Sequence, residues 1–206
     1  MTRVVAVRHG ETDWNRNGRM QGWAPTKLNE TGREQAEGAG QWLADQYDID
    51  TVYASDLDRT EETAELVLDA FDADFDVTYE PHWRERDIGV YQGFEYHEVQ
   101  ERFPKFSLGD AAYEAAMAVP EGGESLRDLA DRVTERLDQV VADHAGETVL
   151  LVTHGGPLHV MLGYAKGLPL HEGLKQHHQD NCGVNELVAE DGELRVVREN
   201  ERVWLE

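Results

Sequence analysis

Cysteine is almost missing: Cys182 is the only one in 206 residues. That excludes an intrachain disulfide and any cysteine-based metal site. No apolar run approaches the length of a membrane span, and no basic-then-apolar leader is present. A cytoplasmic place and no membrane partner are therefore expected. Positive charge is also scarce, with 19 basic residues against 42 acidic ones and a formal net charge of −23. Phosphate backbones reward basic patches, so a nucleic-acid partner is not expected. Lysine is rarest, occurring only at 27, 105, 166 and 175. An acid-rich, lysine-poor surface suits a protein kept hydrated in concentrated salt, where charge repulsion is screened, and points to a salt-loving host.

The length suits one domain spanning 1–206. Val4-Val5-Ala6-Val7 is a short, mostly β-branched run that reads as a buried strand, stopping at Arg8-His9-Gly10. A punctuated loop follows over 13–29. Thr31 and Glu34 have capping-box spacing and predict a helix with Ala36, Ala39, Trp42, Leu43 and Tyr47 on one face. Residues 51–54 read as a second strand. Ser55 and Asp58 then predict a helix to about 71, and 77–79 a third strand. Residues 94–122 read as a short helical lid insertion, with helical pieces at 96–103 and 110–117. Ser125 starts a long helix to about 144, and 148–152 is the clearest buried strand, ending in Thr153-His154-Gly155-Gly156. A helix runs on to 166, and 184–189 with 194–197 form a hairpin around Asp191-Gly192. The alternation of strands and helices predicts an α/β fold: a largely parallel sheet with helices on both faces.

Two buried strands end alike, in His9-Gly10 and His154-Gly155. In a parallel sheet both ends lie on one edge, so the imidazoles can face each other across one crevice. Arg8 adjoins His9, and Arg59 starts the helix after the second strand. Guanidinium groups repel a metal and bind phosphate oxygens, and Gly10 and Gly155 leave room for backbone N–H groups that favour an anion. A neutral imidazole nitrogen can attack phosphorus to give a phosphohistidine, and expelling an alkoxide then needs a proton donor. Glu85 and Asp87 are the candidates, with a solvated charge run as the alternative reading of that stretch.

The run Arg8-His9-Gly10-Glu11-Thr12, with Trp14-Asn15 and Gly18-Arg19-Met20-Gln21-Gly22, resembles the signature of the histidine phosphatase superfamily, phosphoglycerate-mutase-like branch. The resemblance continues in the blocks 55–64, 84–89 with Gln92-Gly93, 122–125 and 152–156, in family order. It implies a three-layer α/β/α sandwich and His9 as the phosphorylated nucleophile. Arg8, Arg59 and His154 match the charged walls of the phosphate pocket. Asn15 matches a polar phosphate contact and Glu85 the proton donor. Gln21 and Gly22 match the loop bordering the substrate, and Gly155 would offer a backbone amide. No metal or organic cofactor is implied; the partner is a small phosphorylated substrate. Mutases of the family need a second set of basic residues, whereas here Lys105 is the only base between Arg102 and Arg127. Hydrolysis of a phosphomonoester is therefore expected. The alternatives are a cofactor-dependent phosphoglycerate mutase, which Tyr91-Gln92-Gly93 resembles, and a non-catalytic phosphate-binding relative.

Other residues have plainer readings. His171, His177 and His178 read as a solvated loop rather than a metal cluster. Trp14, Trp42 and Trp23, the last in the substrate-bordering loop, read as packing. Phe94, Tyr96 and Phe106 read as packing ahead of the alternative, a pocket for an apolar leaving group, and Cys182 as a small buried residue.

Overall fold

The structure, a computed structural model, describes residues 1–102, 117–176 and 178–205. Its strands are β1 (Thr2–Arg8), β2 (Thr51–Ser55), β3 (Val77–Glu80), β4 (Thr148–Thr153), β5 (Val184–Glu190) and β6 (Glu193–Glu201). Its helices are α1 (Asp13–Arg16), α2 (Glu30–Gln46), α3 (Asp58–Leu68), α4 (Tyr96–Arg102), α5 (Leu126–Asp143), α6 (Gly155–Ala165) and α7 (Leu170–Gln176). The strands form one sheet in the order β3-β2-β4-β1-β5-β6. β3, β2, β4 and β1 are mutually parallel, while β5 and β6 add an antiparallel hairpin beside β1. Asp191 and Gly192, both at positive φ, make its turn.

The period-two alternation of each strand separates two cores. Val4, Ala6, Val149 and Leu151 pack with Leu129, Val133 and Leu137 of α5 and Leu158 and Met161 of α6. Val5, Val7, Val52 and Leu150 pack on the other face with Ala36, Ala39 and Leu43 of α2 and Val67 of α3. Both faces are covered, so the central strands are apolar on both sides, as a parallel sheet requires. The three layers expected from the resemblance are present.

Two helix starts differ from the expected ones. Asn29, not Thr31, caps α2, its Oδ1 accepting the Gly32 N–H at 2.8 Å. Ser55 cannot cap α3 because it is still strand, opposite Glu80, and α3 begins at Asp58 after Leu57 without a side-chain cap. α3 also ends earlier, at Leu68. Part of the expected 13–29 loop is a one-turn helix, α1, closed by a capping box between Thr12 and Asn15. α7 was not anticipated. The expected capping box at Ser125 is formed with Asp128. Of the helical insertion, α4 is seen; the piece expected at 110–117 falls largely outside the described residues, as do Lys105, Phe106 and His177.

Gly10 has a role other than the one expected. Its N–H donates to Thr63 Oγ1 at 3.0 Å, so it is not free for an anion. A Cβ there would lie 2.4 Å from the Gly32 carbonyl oxygen, and one at Gly32 would lie 2.1 Å from that of Glu11. The pair lets the start of α2 rest directly on the strand end.

Candidate active site

β1 and β4 are neighbours, with Arg8 opposite Thr153, so the residues that follow them share one edge of the sheet. The His9 N–H donates to the Thr153 carbonyl at 2.9 Å, and the His9 and His154 rings lie 5.2 Å apart at 60°. His9 Nδ1 faces the Gly10 carbonyl at 2.8 Å and Nε2 faces the Arg59 Nε–H at 3.3 Å. A carbonyl only accepts and a guanidinium only donates, so the proton sits on Nδ1 and Nε2 is unprotonated, its lone pair accepting from Arg59. Burial, then Arg59, then Arg8 hold the His9 pKa well below its usual value, which keeps the imidazole neutral.

Arg59 is buried and anchored by Nη2 to the Gly22 carbonyl at 2.8 Å and by Nη1 to that of Ala24 at 3.3 Å. Burial lowers its pKa to about 10, leaving it charged at neutral pH. Arg8 donates through Nη1 to the Gln179 carbonyl at 2.5 Å, while its buried Nε has no protein partner. Both arginines line a cavity of about 650 Å³ together with His9, Asn15, Gln21, Gly22, Glu85, Gly155 and Gly156. Two cationic groups converging on a neutral imidazole make a receptor for a phosphoryl group.

Glu85 reaches the same cavity from the loop after β3. Its Oε2 accepts the Gly156 N–H at 3.1 Å and its Oε1 the Arg86 N–H at 2.8 Å. Asp87, the competing donor, is turned elsewhere: its Oδ1 accepts the Gly89 N–H at 2.9 Å and it does not line the cavity. Asn15 Oδ1 is occupied by the Thr12 N–H and hydroxyl, leaving its NH2 as the end able to donate. Gln21 Oε1 accepts from the Thr26 hydroxyl at 2.7 Å and lies 3.1 Å from the Thr12 hydroxyl, whose one proton it shares with Asn15 Oδ1.

His154 sits beside His9 but is fully buried and does not line the cavity. The reason is a side chain that reasoning from sequence missed. Ser55, at the end of β2, lies 2.8 Å from His154 Nε2, while the buried Nδ1 has no protein partner. The strand-end rule that singled out His9 and His154 applies equally to Ser55. Asn181 was also missed; its Nδ2 donates to the His9 carbonyl at 2.9 Å. Two expected packing residues do more. Tyr96 is 61% exposed and lines the cavity, and the Trp23 Nε1–H donates to the Glu85 carbonyl at 2.7 Å. Phe94 does pack, against the Ile88, Tyr91 and Val99 cluster, and Cys182 is buried. Burial pushes the Cys182 thiol pKa up. Among the described residues no three His, Cys, Asp or Glu side chains are placed to hold a metal ion.

Fold and site together define an α/β sandwich protein with an arginine-lined, imidazole-centred pocket at the carboxyl edge of its sheet. Residues 4–202 match the model of the histidine phosphatase superfamily, branch 1, and the chain belongs to that family. A metal-independent phosphoserine phosphatase from Arabidopsis thaliana is 38% identical over 158 residues, 77% of this chain. A phosphoglycerate mutase-like protein from the same plant is 38% identical over 153 residues, 74% of this chain. Each match covers 66% of the relative, just under two thirds of its length. Among solved structures, Bacillus stearothermophilus YhfR superposes with a TM-score of 0.88 at 29% identity, covering 98% of this chain and 100% of that one. A mycobacterial glucosyl-3-phosphoglycerate phosphatase gives 0.83 at 30% identity, covering 96% and 98%.

Proposed function

We propose that the protein is a metal-independent phosphomonoester hydrolase of small phosphorylated metabolites, acting through a phosphohistidine at His9. The orientation of His9 carries this reading, because its unprotonated Nε2 lies against the Arg59 guanidinium in a cavity that Arg8 also lines. The Nε2 lone pair attacks phosphorus and the P–O ester bond breaks. Glu85, as the acid, gives its proton to the leaving alkoxide. Water then attacks the phosphohistidine, Glu85 takes its proton, and the P–N bond breaks to release phosphate and restore His9. Arg8, Arg59 and the Asn15 NH2 hold the phosphoryl oxygens. With the Ser55 hydroxyl donating to Nε2 of His154, that imidazole carries its proton on Nδ1 and stays neutral behind the pocket. Gln21, Gly22 and Gly155 border the substrate.

Hydrolysis rather than transfer to a second phosphoglycerate is supported by the single base between Arg102 and Arg127, Lys105. Relatives named as phosphatases of phosphoserine and of glucosyl-3-phosphoglycerate support a small phosphorylated metabolite as substrate. The net charge of −23 supports a high-salt setting, and the lone buried thiol a reducing, cytoplasmic one, for a single-domain chain.

Product analysis with 3-phosphoglycerate in molar KCl, with and without 2,3-bisphosphoglycerate and in the presence of chelator, tests the reading. Free phosphate without 2-phosphoglycerate is expected. Rapid isomerisation without phosphate release would make the enzyme a mutase. No turnover of any monoester would favour a phosphate-binding relative, and loss of turnover with chelator would sink metal independence.

A further inference from the structure

We propose that Trp23 and Arg132 are positioning residues that set where Glu85 stands relative to His9, an inference that rests on Glu85 being the general acid. The Glu85 carbonyl oxygen accepts two side-chain N–H bonds, from Trp23 Nε1 at 2.7 Å and from Arg132 Nη2 at 3.0 Å. The donors belong to different parts of the fold. Trp23 lies in the loop carrying Gln21 and Gly22, whereas Arg132 lies on α5.

Each donor is itself immobilised. The Arg84 guanidinium lies over the Trp23 ring at 4.6 Å and makes two 2.6 Å bonds to Asp56. Arg132 binds both oxygens of Glu124, at 2.6 and 3.1 Å, and donates to the His82 carbonyl at 2.8 Å. The residues on either side of Trp23 complete a path to the nucleophile. The carbonyls of Gly22 and Ala24 are the acceptors that anchor Arg59, and Arg59 donates to His9 Nε2. A path of hydrogen bonds and the 22–24 backbone thus runs from His9 through Arg59 and Trp23 to Glu85. A general acid works only when its proton is held within hydrogen-bond reach of the leaving oxygen, so a clamp on its backbone tunes the proton transfers that Glu85 makes, of which the first sets kcat/KM.

Leaving-group dependence of kcat/KM, which reports the first phosphoryl transfer, separates positioning from general damage. Nitrophenolate departs without a proton, whereas glycerol must be protonated as it leaves. For Glu85→Gln, kcat/KM for glycerol 2-phosphate falls about 100-fold or more, with p-nitrophenyl phosphate nearly spared. Trp23→Phe keeps the ring and deletes the N–H; it should lose about tenfold on glycerol 2-phosphate and stay within about twofold on p-nitrophenyl phosphate. Arg132→Gln is the second variant, expected to show the same selectivity should Trp23→Phe fail to fold. Equal loss on both esters, or no loss, in a folded variant overturns the proposal while leaving Glu85 as the acid. Equal loss on both esters in Glu85→Gln would instead remove the acid itself, and the positioning claim with it.

Discussion

The imidazoles of His9 and His154 lie 5.2 Å apart because the strands that deliver them are hydrogen-bonded neighbours in parallel register. Burial first and Arg59 next hold both pKa values well below the ordinary 6.5, joined by Arg8 at His9 and by His9, Arg8 and Arg132 at His154. The unfolded chain therefore binds more protons than the fold as pH drops below that value. The stability from the two neutral rings is fully present above about pH 6.5 and is lost as pH falls toward the folded pKa values, at up to about 2.7 kcal/mol per pH unit for the pair. Denaturant titrations at fixed molar KCl should show this slope between pH 6.5 and 5. It should shrink by about half in His9→Asn and flatten with inorganic phosphate, whose charge favours the protonated rings.

In the proposed mechanism His9→Ala removes the atom that forms the covalent intermediate. Turnover of every monoester should fall by at least about 1000-fold, as loss of a nucleophile does elsewhere. Acid-quenched intact-protein mass spectrometry should show a transient phosphoprotein with wild type and none with the variant. Wild-type rates in the variant would exclude a phosphohistidine at this position.

Gly156 offers a small, local perturbation of the acid. A Cβ there would lie 2.1 Å from Glu85 Oε1 and 3.1 Å from its Cδ. The end of a flexible side chain can move aside, so Gly156→Ala should displace the carboxylate and leave the fold nearly intact. Glycerol 2-phosphate hydrolysis is expected to drop about 100-fold, with the unfolding midpoint scarcely moved. A large loss of stability with activity retained would contradict the packing described here.

Arg59 serves fold and chemistry together. Arg59→Gln strips donors from the Gly22 and Ala24 carbonyls and should destabilise by about 2–4 kcal/mol. It also removes a cation from beside the imidazole, so the His9 pKa should rise toward 6.5, measurable by NMR of the ring protons. Phosphate affinity should fall in parallel. An unmoved His9 titration would mean that burial and Arg8 suffice to depress it.

Much of the site was legible because strand ends in a parallel sheet are places where position along the chain predicts position in space. Arg8, His9, Arg59 and Glu85 all flank strands or open the next helix, and all four line one cavity. Asp87 and Glu85 could not be separated by spacing. They differ in the direction of the side chain, which the Gly89 and Gly156 amides decide. Thr31 lost its expected cap to Asn29, two residues away, because the Gly10–Gly32 contact draws the helix start onto β1. Trp23 looked like packing because nothing local shows that its N–H meets a carbonyl 62 residues on.

The sequence alone determined the strand–helix alternation, the apolar pattern that buries both faces of the sheet, the residue types of the phosphoryl pocket and the acidic surface. These follow from local propensity and composition, which act between near neighbours in the chain. The tertiary structure alone decided the His9 tautomer, the place of His154 behind the cavity against Ser55, and the hydrogen-bonded path from Arg59 through Trp23 to Glu85. Each depends on donors and acceptors brought together from distant segments, and a hydrogen bond is set by distance and angle that no spacing along the chain records.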